Sequence, residues 1–223
     1  MPGRAIRKTI ADNELDLRNS MWPDAEDRLW NRKAYGGFIT IPKTMPLLGR
    51  MMDEMSKNFP VSETYNALWA WTWDNNAFVR LNKLDEIAFA AGFTAQRGVR
   101  TLQDRLKRLE ALAFIELKAA GNNKMAFAFL PNPHAVIFQH YEALTSPTAS
   151  PAAKALAAGL RDGTFNAFLA RAQELGCKDV KALIDARAAK ISVPGTTDPV
   201  AAAAKPARTP LRPLARSPGR SER

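Results

Sequence analysis

From residue 98 to 113 the apolar positions Val99, Leu102, Leu106, Leu109 and Ala113 recur three or four apart, the spacing of one face of an α-helix. Thr94 is the expected cap, and Gly98 lowers propensity inside the first turns. Before it, "KLDEIAFAAGF" puts Leu84, Ile87, Ala88 and Ala91 on one side, with Gly92 as a terminator. "SETYNALWAWTW" gathers Tyr65, Leu68, Trp69 and Thr72 on a broad face before Asp74, Asn75 and Asn76 stop it. Further upstream, "GGFITIPKTMPLLGRMMDEMSKNFP" offers Thr44 as a cap and Pro46 in a first turn, then Leu48, Met51, Met52 and Met55 at helical spacing until Pro60. These methionines read as core filler.

Elsewhere the period drops to two. "AFIELK" sets Phe114 and Glu116 against Ile115 and Leu117, and "KMAFAFL" alternates Met125, Phe127 and Phe129 with alanines. Gly121, Asn122 and Asn123 between them predict a hairpin turn, hence a half-buried ribbon. "FVRLN" is expected as an edge strand of the same small sheet. "PNPHAVIFQHYEAL" predicts one more helix packed on the ribbon.

The resulting fold class is mainly α with a small β-hairpin, an α+β arrangement. Residues 1–35 form an N-terminal extension with a short helix after Pro23, and 36–144 form the core with flanking helices. A linker follows at 145–161, where "TSPTASPAAK" stands. Residues 162–190 form a small helical segment, a pair joined at Gly176. The basic Pro/Ala-rich tail 191–223 has almost nothing to bury and is expected to be disordered.

Charge changes the picture more than composition does. The 223 residues are 46% hydrophobic, enough for a folded body, yet carry a net charge of +10. That excess favours an anionic partner. No apolar run approaches the ~20 residues of a spanning helix, so no membrane role is expected. The start "MPGRAIRKTIADNELDL" lacks the apolar stretch of a signal peptide, and one cysteine, Cys177, makes no internal disulfide; a cytoplasmic protein is expected.

Enzyme chemistry has little to stand on. With His134, His140 and Cys177 alone, no cluster supplies three or four soft ligands, so no metal is expected. Neither a phosphate loop nor a dinucleotide fingerprint occurs, so no cofactor is expected. Asp85 with Glu86, and Asp53 with Glu54, point in different directions on a helix and read as solvent-facing charges. The histidines read as structural, and the chain as a non-enzyme.

What remains is the order helix, short strand, helix, turn, helix, strand, turn, strand from Ser62 to Leu130. This resembles the winged helix-turn-helix family, with "KLDEIAFAAGF" matching its second helix, "TAQRGVRTLQDRLKRLEALAFIELK" its third helix and first wing strand, and "GNNKMAFAFL" the wing tip and return strand. The resemblance implies double-stranded DNA binding, with the third helix in the major groove and the hairpin over neighbouring backbone. More broadly the chain resembles plasmid- and integrative-element-borne bacterial proteins and the winged domains of plasmid replication initiators. Such initiators usually carry two related winged domains, and no second copy of the 93–106 pattern occurs here. A transcriptional regulator or mobile-element accessory factor therefore stands ahead of an initiator, and a protein-interaction module using the aromatic helix Tyr65 to Trp73 is the competitor from another class.

On that reading Gln96, Arg97, Arg100, Thr101 and Asp104 occupy the groove-entering part of the third helix, where Gln and Arg suit adenine and guanine edges. Lys107 and Arg108 are candidates for phosphate, Arg105 lies close in angle to the apolar seam, and Lys118 and Lys124 bring positive charge to the wing. The alternative for the whole helix is a solvated face with local pairing such as Asp104 with Arg108. A homodimer is a possible assembly.

Overall fold

The computed structural model describes residues 3–30, 34–73 and 76–192. Within the unit Met1–Ile184 the chain runs through helices α1 (Gly3–Met21), α2 (Ala25–Arg28), α3 (Met45–Ser56) and α4 (Ser62–Ala70), strand β1 (Phe78–Arg80), and helices α5 (Leu84–Ala90) and α6 (Gly98–Ala111). Strands β2 (Glu116–Ala120) and β3 (Asn123–Phe129) follow, then helices α7 (Pro133–Thr145), α8 (Pro151–Ala157), α9 (Asp162–Leu175) and α10 (Lys178–Ser192), the last of which continues into the second unit, Asp185–Arg223. The fold is mainly helical with one three-stranded antiparallel sheet, ordered β1-β3-β2. The tail 191–223, expected to be disordered, lies outside the described residues apart from the helical pair Ile191 and Ser192.

The core grows from the methionine helix. Leu48, Met51, Met52 and Met55 of α3 are all buried, as their spacing predicts, and α3 packs on α4, α7 and α9. Tyr65 and Leu68 of α4 meet Ile87 of α5 and Leu102, Leu106 and Leu109 of α6 in the same cluster. The seam of α6 starts one turn later than its period suggests, because Val99 is 37% exposed while Leu102 is fully buried.

The start of α6 also differs from the expected cap. The helix begins at Gly98 with Arg97 in the cap position, and Thr94 lies outside it. A Cβ on Gly98 would collide with the Phe93 carbonyl oxygen, so the glycine that reads as a propensity cost is what lets the first turn of α6 close against the connection from α5. At its other end α6 closes with Ala113 in the left-handed region, φ 60°, and the Phe114 amide donating to Leu109 O at 3.0 Å. Ala113 therefore lies on the turn rather than on the buried seam.

The hairpin turns at Gly121, φ 56°, between the paired Ala120 and Asn123, with an irregularity of register between Lys118 and Ala120. Val79, Ala128 and Leu117 are directly paired across the three strands and form the inward face, Val79 and Ala128 fully buried. The aromatic positions of β3 face the other way. Ala128 is turned inward and joins the buried core cluster.

Two further elements go beyond the sequence pattern. The stretch 145–161, expected as a linker, contains α8, whose Ser150 side chain accepts from the Ala153 amide at 3.2 Å and whose Ala157 is buried. The extension 1–35 contains α1 ahead of the expected short helix, linked to it by an Arg18–Glu26 ion pair. No described helix is long and apolar enough to cross a membrane.

Candidate nucleic-acid interface

The exposed side of α6 is set by what its buried side needs. With Leu102, Leu106 and Leu109 turned inward, positions 97, 100, 104 and 107 recur three or four apart on the other side. Gln96, Arg97 and Arg100 are exposed, and none of their side chains makes a hydrogen bond or ion pair with a described residue. Thr101 is half-buried and donates its hydroxyl to Arg97 O at 3.1 Å, closing the first turn. Asp104 pairs with Lys107 at 3.3 Å, rather than with Arg108.

The remaining two cations of the helix are directed into the fold. Arg108 donates from Nη2 to Met55 O at 2.6 Å, satisfying a carbonyl in the last turn of α3. Arg105 lays its guanidinium 3.4 Å from the Phe59 ring centroid. Burial pushes the Arg105 guanidinium down, while Asp53 and Asp104 act in the opposite sense. Its Nε and Nη1 are buried without a hydrogen-bond partner. Arg105, close in angle to the apolar seam, thus lies over Phe59 beyond the end of α3, whereas Arg108 serves as a helix-end cap.

On the hairpin, Lys118 of β2 and Lys124 of β3 are both exposed and unpaired among the described residues. The corner between helix and hairpin is part of the core. Leu112, Phe114 and Ile115, which make the corner between them, are all buried. His140 of α7 also donates from Nε2 to Leu112 O at 2.9 Å. The candidate set thus resolves into Gln96, Arg97, Arg100, Lys118 and Lys124, exposed and unpaired among the described residues, a locally paired Asp104 and Lys107, the turn-closing Thr101, and Arg108 turned to Met55 O.

Sequence reasoning passed over Arg80. This β1 residue is exposed, unpaired among the described residues, and level with Phe127 and Lys118 in the sheet. Its signal was the period-2 pattern of "FVRLN", which sets Phe78 and Arg80 opposite the buried Val79.

The two histidines occupy interior positions. His134 is buried, with Nδ1 2.6 Å from Asp179 Oδ2 and Nε2 2.7 Å from Thr44 Oγ1. Hydroxyl, imidazole and carboxylate stand in the order of a nucleophile, base and orienting group. With Thr44 only 1% exposed, the trio ties the starts of α3, α7 and α10 together. Thr44, expected to cap α3, spends its hydroxyl on this contact instead. Burial acts to raise Asp179, but hydrogen bonds from Asn132 and His134 outweigh it and hold the carboxyl below its ordinary value. Among the described residues no group of three or more His, Cys, Asp or Glu is placed to hold a metal ion.

Comparison with known families, with curated proteins and with solved structures finds no match for this chain.

Proposed function

We propose that residues 62–130 are a winged helix-turn-helix that binds double-stranded DNA through α6, and that the protein acts as a transcriptional regulator or mobile-element accessory factor. The observation that carries this reading is the start of α6, where Arg100 in the first turn, Arg97 at the cap and Gln96 just before it stand exposed and unpaired among the described residues, outside a fully buried leucine seam. Lys107, by contrast, is paired locally with Asp104. Two free guanidiniums and an amide at the start of a helix suit base edges and phosphate. The order α4, β1, α5, α6, β2, β3 with sheet order β1-β3-β2 supports the same reading, because it ends in a hairpin carrying Lys118 and Lys124 beside the helix.

Selection from a random duplex pool, followed by competition between the selected site and random duplex, tests the proposal. Arg100→Ala is expected to lower affinity for the selected site by about 1 to 3 kcal/mol, flattening discrimination at one position and leaving random duplex almost unaffected. Equal weakening on both DNAs would assign Arg100 to phosphate. No binding to either DNA at low salt would reject the reading.

A protein-interaction role is favoured by one observation, a groove lined by Ile39, Thr40, Trp69 and Trp73, in which Trp73 is 80% exposed. Trp69 donates from Nε1 to Thr40 O at 3.0 Å and so forms part of the wall. An Arg100→Ala chain indistinguishable from the unmodified one on every DNA would move the assignment to this groove.

A further inference from the structure

We propose that the outward face of the three-stranded sheet is a second nucleic-acid site, one that takes the bases of a single strand. The pleat sends Val79, Leu117 and Ala128 toward the helices, and their neighbours along each strand to the opposite side. Register arranges those neighbours in two rows across the sheet, Phe78–Phe129–Glu116 and Arg80–Phe127–Lys118. Three aromatic rings and two cations thus share one surface.

The rings are open to solvent in the way a stacking platform requires. Phe129 is 45% exposed, and Phe78 and Phe127 are half-buried, their centroids 5.5 Å apart and their planes 30° from parallel. An apolar sheet face meant only for the core would be turned inward. Here the alanines took that side and the phenylalanines were left out.

Charge decides among occupants. Arg80 and Lys118 flank Phe127 on either side, both exposed and neither paired with a described residue. Glu116 is the single carboxylate of the two rows. A second copy docked face to face about a two-fold axis would bring together four cations and two carboxylates, burying like charges against each other. A single-stranded nucleic acid meets the surface in both respects, since unpaired bases offer flat faces to the rings and phosphates neutralise the flanking cations. In a duplex the base faces are already stacked on one another, so this surface discriminates against it. About two or three bases is the number such a sheet face holds.

Apart from Lys118 the face shares no residue with the proposed duplex interface, so the two are separable. The full chain is titrated into a fluorescein-labelled oligothymidylate, the matching oligouridylate and a random duplex, with anisotropy as the readout. The unmodified chain is expected to bind at least one single strand, and the tighter of the two names DNA or RNA as the source. Phe129→Ala is expected to lower that affinity roughly 5- to 150-fold, the effect of losing one stacked base, with Phe129→Trp retaining it and duplex affinity unchanged. Arg80→Ala is expected to weaken single-strand binding and reduce its salt dependence. Arg100→Ala, by contrast, is expected to leave it intact.

Binding of a single strand without binding of duplex would reject the proposed function and leave this site standing. Failure of both oligonucleotides at low salt would overturn it. So would a Phe129→Ala chain of unchanged urea midpoint that binds them as tightly as the unmodified one. Sedimentation showing a dimer weakened by Phe129→Ala, with oligonucleotide affinity unchanged, would give the face to a second copy instead.

Discussion

The imidazole of His140 lies in the core beside Phe114, its Nε2–H directed at Leu112 O, where a charged ring has few partners. Burial pushes this histidine down from its ordinary value, and Arg108 pushes the same way, while the hydrogen bond to Leu112 opposes them. The sign of the consequence follows from linkage. In the unfolded chain the ring protonates near the ordinary value of about 6.5, whereas the folded chain resists protonation. The stability held by the neutral ring is complete above about pH 6.5 and is lost as pH falls toward the lower folded value. Urea midpoints measured from about pH 7.5 down to about pH 5.5 should therefore fall with acid, and fall less in His140→Gln, whose amide still donates to Leu112 O. Parallel curves for the two proteins would show that another group governs this range. Asp179 gives the same direction of change, but only below the ordinary carboxylate range near about 3.9.

At the scale of the element, α6 is seated by one close approach. The backbone at Gly98 rests against Phe93 O in the connection between α5 and α6, with no room for a methyl group. Gly98→Ala gains helix propensity in isolation, yet must displace α6 from α5, and a loss of about 1 to 3 kcal/mol in stability is expected together with weaker duplex binding. A stabilised Gly98→Ala chain in a urea titration would show that the two helices separate freely. The leucine seam of α6, the buried methionines of α3 and the turn at Gly121 were legible because period and turn chemistry are local. Less legible was the inward face of β3, since alternation of phenylalanine with alanine does not by itself say which set meets the core. Residues 151–157 hid as well, because a Pro/Ala-rich stretch looks like a linker until Ala157 is seen buried. Within the candidate site, the exposure of Arg97 and Arg100 followed from helical period. The angle of Arg105 near the apolar seam set it apart from the exposed cations, but its partner Phe59 and the diversion of Arg108 to Met55 O depend on elements distant in sequence that no local pattern announces.

Across the whole molecule, net positive charge is densest in the tail. Residues 62–130 carry nine basic and seven acidic side chains, while the last 27 residues carry six and two. Affinity for nucleic acid in general and preference for a sequence are therefore expected to reside in different parts of the chain. Spaced cations on a Pro-rich segment follow phosphate wherever it runs, because counterion release does not depend on base order. A guanidinium at the start of a helix, fixed by the turn beneath it, can instead be matched to a base edge. Removing 197–223 should then weaken binding to the selected site and to random duplex by the same factor, leaving their ratio unchanged. The slope of log affinity against log salt should shrink by ~0.9 for each phosphate that the tail no longer neutralises. Titrations of full-length and truncated chains at several salt concentrations measure both quantities. A truncated chain that binds random duplex as before but loses its preferred site would place recognition in the tail and reduce α6 to a scaffold.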